Sequence, residues 1–177
     1  MMKLDWKIYS IGVGVLLLAI MVFLLEKIFF FLLISLATIL VAVMLRFVQP
    51  LKYLGIELVT LSTILVGVVY GPVIGGVYAF VVLLAHLMLG DYYIGNYLMW
   101  VIPEYVLLGI LSGVIGIGVI GTLGVVLVIG LNLMSLFFTF LGESDRVAKE
   151  LPYVIGNSII NSVVLLKFLG PIADFIS

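Results

Sequence analysis

Few residues in this chain could do chemistry. Glu57, His86, Asp91, Glu104, Asn157 and Asn161 interrupt long apolar runs, and Tyr92, Asn96 and Trp100 stand in a polar stretch that begins at Asp91. Carboxylates, an imidazole and amides are expensive in apolar surroundings, so they turn toward a cavity or toward one another. That makes each of these residues a candidate for binding a small polar ligand. Each also has a plainer reading. Glu57 and Glu104 fall where helices would begin, Glu104 directly after Pro103, and a carboxylate in a first turn meets the positive end of the helix dipole. His86 can hydrogen-bond a neighbouring helix. Asp91, Tyr92, Tyr93, Asn96, Tyr97 and Trp100 have the make-up of an interfacial belt. Asn157 and Asn161 are four apart, hence on one helix face, and either line a pocket or bond another helix. For Asn132 interhelical bonding is the expected role.

The same inventory excludes most catalysis. There is no HExxH, no Ser-His-Asp set in plausible local context, no glycine-rich phosphate loop followed by Lys and no carboxylate-rich metal signature. With one His and no Cys, no metal or cofactor is expected, and the chain is not expected to be an enzyme. Eight basic against nine acidic residues, without a basic cluster, argues against nucleic acid, whose binding rests on phosphate neutralisation.

The elements that must position these residues follow from composition. The chain is 66% hydrophobic and 10% charged, whereas an ordinary soluble domain is about half apolar and about one quarter charged. Most of its surface must therefore face lipid. A multi-pass protein of the cell membrane is expected, with the bilayer as its first partner. Cutting at charges, Pro and Gly gives seven spans of crossing length, at 8–25, 28–45, 54–70, 73–89, 97–119, 121–141 and 152–168. The cuts at Glu26-Lys27 and Gly121 are the weakest. The spans lack the alternation of a membrane barrel, and backbone groups in hydrocarbon must be satisfied internally, so the fold class is all-α, a polytopic helix bundle. The opening with Lys3 and Lys7 resembles a signal peptide, but its apolar run is long and has no clear cleavage pattern, so it is kept as a helix. Small residues four apart, at Gly71 and Gly75, Gly109 and Gly113, and Ser112 and Gly116, are read as close packing inside one bundle rather than as a dimer face. A single domain over 1–177 is expected, with 1–27 an additional N-terminal helix. The turn Tyr70-Gly71-Pro72 makes the third and fourth helices an antiparallel hairpin.

Each crossing reverses direction, so parity decides which residues share a side. The N-terminus and the loops 46–52, 90–96 and 142–150 fall on one side, with Glu57, His86, Glu104 and Asn157 near it. This polar mouth could hold a water-filled pocket. Six of the eight basic residues, Lys3, Lys7, Arg46, Lys52, Arg146 and Lys149, lie there, which points to a cytoplasmic mouth.

From Ala37 to Gly116 the pattern of a helix ending in Arg46, a short loop, an apolar helix, then "YGPVIGG" opening the next helix and a polar loop after it resembles the substrate-binding S components of energy-coupling factor (ECF) vitamin transporters. The C-terminal "LPYVIGNSIINSVVLLKFLGPIADF" is similar to that family's last helix. The resemblance implies six S-component-like helices over 28–177 and a pocket for a vitamin or metal ion at the extracellular end. It also implies partners in the form of a coupling membrane subunit and ATPase subunits. The pocket would be built from the loops of the polar mouth, on the opposite side of the membrane from the one the charge count indicates. An Ala-xxx-Ala coupling pattern is missing from the first family-like helix. The same stretches also resemble MreD, a cell-shape scaffold that acts by binding other membrane proteins. The expected function is capture of a small molecule such as a vitamin for transport, with the scaffold as the alternative.

Overall fold

The computed structural model describes residues 6–92, 95, 97–116, 118–142 and 144–176, with side chains outside 6–11, 17–24, 168–170 and 172–176. Among the described residues the secondary structure is helical throughout, without a strand. The chain divides into two compact units, Met1–Leu33 and Ile34–Ser177. The first consists of the N-terminal part of α1, which runs from Trp6 to Phe47. The turn expected at Glu26-Lys27 does not form, because neither residue is a helix breaker and no Gly or Pro stands beside them. The placement of Lys3 and Lys7 beside the mouth thereby loses its basis.

The second unit holds the end of α1, followed by α2 (Gln49–Tyr53), α3 (Val59–Tyr70), α4 (Pro72–Leu89), α5 (Leu98–Ile115), α6 (Ile120–Gly142), a single 3₁₀ turn at Ser144–Arg146 and α7 (Val147–Ile176). Leu25–Phe47 within α1, together with α4, α5 and α6, are long and apolar enough to cross a membrane. At the end of α1, Thr38, Ala42 and Leu45 form one buried stripe at helical spacing.

α3 sits at the centre. Val59 to Gly67 are buried without interruption, and α3 packs against both α4 and α5, while α6 pairs with α7. Glycines allow this closeness. A methyl group added at Gly109 would meet the backbone of Gly75, one at Gly75 or Gly67 would meet the Gly109 carbonyl, and one at Gly113 would meet the start of α4. Of the small residues expected at bundle seams, Gly75, Gly109, Ser112 and Gly113 are thus used inside this unit for backbone-to-backbone approach, whereas a methyl group at Gly71 or Gly116 would meet nothing within 4 Å.

Three boundaries differ from the sequence reading. Gly116, at φ +70, ends α5 four residues before α6 begins, so the break lies at 116–119 rather than at Gly121. α7 starts ahead of Pro152. α3 starts at Val59 rather than at 54. α5 starts at Leu98, close to the expected 97, so Pro103 lies inside the helix and Glu104 is not a first-turn residue.

With only 12 residues, α3 is about 18 Å long, short of the roughly 30 Å hydrocarbon thickness. It is preceded by the non-helical segment 54–58. Gly55, in the left-handed region at φ +66, sits against Tyr153 and Asn157 of α7, and Gly156 faces the Leu54 carbonyl. Irregular backbone at membrane depth is tolerated where protein buries it. The local partners are short-range: Leu54 and Ile56 N–H groups both donate to the Leu51 carbonyl, and Gly55 N–H donates to Lys52.

Candidate functional site

Within the non-helical segment 54–58, Gly55 and Glu57 are buried, and Glu57 stands in the middle of a polar network. Its carboxylate accepts hydrogen bonds from the backbone N–H groups of Val59 and Thr60, closing the N-terminus of α3, and from the Thr60 hydroxyl at 2.6 Å. Asn157 Nδ2 on α7 donates to Glu57 Oε1 at 2.7 Å and to the Gly55 carbonyl at 3.3 Å. Asn132 on α6 donates to Asn157 Oδ1 at 2.9 Å and to the Ser158 hydroxyl at 3.0 Å. Asn161 Nδ2 donates to the Asn157 carbonyl one turn above. On the other flank the Tyr105 hydroxyl of α5 lies 3.1 Å from that of Thr60 and also bonds Tyr153. Because the Thr60 proton is directed at Glu57, Tyr105 is left to donate to Thr60 and Tyr153 to Tyr105.

Glu57, Thr60, Tyr105, Asn132, Asn157 and Asn161 are all 7% exposed or less. Of the site residues expected from sequence, Glu57, Asn157 and Asn161 are thus mutually satisfied, and the expected interhelical bond of Asn132 is present. The network ties 54–58, α3, α5, α6 and α7 together through bonds whose loss would strand buried polar atoms. Tyr105, Tyr153 and Thr60 were not singled out from sequence. Their signal was available only in spacing, since Thr60 follows Glu57 by three residues and could reach back to it.

Nearer the mouth the pattern changes. Lys52 of α2 donates to the carbonyls of Gly90 and Asp91 at 3.1 and 2.6 Å, and its ammonium stands 3.9 Å over the Tyr92 ring, a cation–π contact. Tyr92 packs on His86 with ring centroids 4.8 Å apart. Burial holds the Lys52 ammonium below its usual pKa, against the opposing pull of Asp91. Burial also pushes the Tyr92 phenol well above its usual value, helped by the charge of Glu57. Asp91 itself is exposed at φ +55, at the rim. Asn96 lies outside the described residues.

Several polar atoms in this layer are buried without a hydrogen-bond partner in the protein: His86 Nδ1, Tyr92 OH, Trp100 Nε1 and both carboxylate oxygens of Glu104. His86 and Glu104 are 5% and 3% exposed. Trp100 stacks on Phe138 of α6 at 6.2 Å and 27° and lies over Gly142. Lys52 thus ties α2 to Gly90 and Asp91, and Trp100 ties the start of α5 to the end of α6. Among the described residues no cluster of three His, Asp or Glu could hold a metal ion. An open groove of about 480 Å³ lies elsewhere, on the outer face of α4 and α5, and is lined by apolar residues including Val73, Val77, Phe80 and Ile110.

Comparison with known proteins finds no match to a protein-family model, to a curated protein or to a solved structure.

Proposed function

We propose that the chain is a multi-pass protein of the cell membrane that captures a small molecule at its polar end, as the substrate-binding subunit of a transporter. The observation that carries this reading is the contrast between two sets of buried polar side chains. The side chains of Glu57, Thr60, Asn132 and Asn157 are paired with one another, although Thr63 Oγ1 of α3 and Ser162 Oγ of α7 are buried without a partner. Beside this network, His86, Tyr92, Trp100 and Glu104 hold buried donors and acceptors that the protein does not satisfy. Burying such groups unpaired costs about 1–3 kcal/mol each, and a ligand that completes them offsets that cost. The candidate ligand-contacting set is accordingly His86, Tyr92, Trp100 and Glu104, with Glu57, Asn157 and Asn161 holding the frame beneath. The resemblance to S components adds a coupling membrane subunit and ATPase subunits as expected partners.

A scaffold acting through other membrane proteins, as in the likeness to MreD, is favoured by one feature, the open apolar groove on α4 and α5. Purification in mild detergent followed by mass spectrometry of everything retained separates the two. A stoichiometric small molecule supports capture. A stable polypeptide partner without any small-molecule occupant sinks it in favour of the scaffold. A reporter fused after Ser177 fixes which side of the membrane the mouth faces.

A further inference from the structure

The proposed capture site has a charge character. Tyr97, Trp100 and Glu104 follow one another at helical spacing along one stripe of α5. Trp100 stacks on Phe138, which directs this stripe toward the end of α6. There Thr139 donates its hydroxyl to Glu150 Oε2 at 2.8 Å, holding a second carboxylate in place. The charge felt by Glu104 is that of Glu150. Of the basic residues, Arg146 acts on Tyr97, Lys149 precedes Glu150 in the chain, and Lys52 is engaged with Gly90, Asp91 and Tyr92.

Resting on the capture reading, we infer that Glu104, at helical spacing from Tyr97 and Trp100, binds an organic cation of the ammonium type. Three independent features converge. Glu104 is 3% exposed, and neither of its oxygens finds a donor in the protein, a situation that a positive charge relieves. A like charge at Glu150 repels an anion and favours a cation placed between the two. Indole and phenol faces attract ammonium groups, most strongly when the site is desolvated. A bare divalent ion is disfavoured, because it needs about six oxygen ligands and the described residues bring no third acid or imidazole to the pair.

The test uses the full chain in detergent micelles with Trp6→Phe, which leaves Trp100 as the only indole of the two in the sequence. Trp100 fluorescence is titrated with tetramethylammonium chloride and n-butylammonium chloride, against sodium chloride at equal ionic strength and against n-butanol. A saturable change with both ammonium probes and neither control is expected, with affinity at least roughly tenfold weaker in Glu104→Gln, since a charge-assisted contact is lost. Glu150→Gln, at the start of α7, weakens binding by a smaller factor and serves if Glu104→Gln does not fold. Equal responses to sodium and ammonium salts, or a response that both Gln variants leave untouched, overturn the inference. Mass spectrometry keeps the two levels apart. A neutral or anionic molecule retained on purification overturns the cation assignment and leaves capture standing, whereas flat titrations together with no retained molecule overturn both.

Discussion

Asn157→Ala is the sharpest probe of the network beneath the site. The Asn157 side chain donates to Glu57 and Gly55 and accepts from Asn132. A hydrogen bond to a charged group contributes about 1.5–3 kcal/mol, and each neutral interhelical bond in lipid averages about 0.6 kcal/mol. Removing one of the first kind and two of the second therefore costs about 3–4 kcal/mol. For a chain of this size each kcal/mol moves the melting point by about 2–4 °C, so a fall of about 10 °C is expected. Tryptophan-fluorescence melting in detergent reads it. Asn132→Ala alone should lower the melting point by only about 3 °C, because Asn157 keeps its bonds to Gly55 and Glu57. Combined with Asn157→Ala it should cost less than the sum of the two, since one bond is shared. A melting point within 2 °C of wild type for Asn157→Ala, or strict additivity in the pair, would refute the claim that these residues form one network.

Three further outcomes are expected. Gly109→Ala should destabilise by about 2–3 kcal/mol or abolish the folded protein, because its methyl group meets the Gly75 backbone, which cannot yield. Gly130→Ala, in open space on α6, should raise the melting point slightly, by about 0.5–1 kcal/mol of helix preference; thermal melts of both variants check the contrast. Burial and the charge of Glu150 raise the Tyr97 phenol to about 12, against the pull of Arg146. The stability Tyr97 gains by staying protonated is thus whole below the unfolded value of about 10 and is lost as pH rises toward about 12. Ultraviolet difference titration of wild type against Tyr97→Phe should show one phenol ionising late, and a normal titration at about 10 would contradict the burial argument.

Much of the helical framework was legible because apolar runs of crossing length admit little else than helix. Glu26-Lys27 misled because two charges look like a loop in a hydropathy reading, although both residues favour helix. Pro103 misled in the other direction. It suits a helix start, yet five residues precede it in α5, so Glu104 was weighed as a cap when its carboxylate stands in the helix interior without a partner. Glu57 is the reverse case: its closing of α3 follows from its position, but its bond to Asn157, 100 residues away, has no local signature. Nothing in the sequence indicated that Gly55 and Glu57 would be buried, because that depends on Gly55 packing against Tyr153 and Asn157 and on Gly156 approaching the Leu54 carbonyl, contacts about 100 residues apart in the chain.

Pro103 also shapes how α5 can move. Lacking an N–H, it leaves the Met99 carbonyl outside the helical ladder, and its ring crowds that same turn. The stretch 98–102, which bears Trp100, is therefore held by one bond fewer than the rest, while beyond it Gly109 and Gly113 clamp the helix to α3 and α4. Any bending of α5 is thus directed to this one turn, ahead of the half of the helix that the glycines clamp.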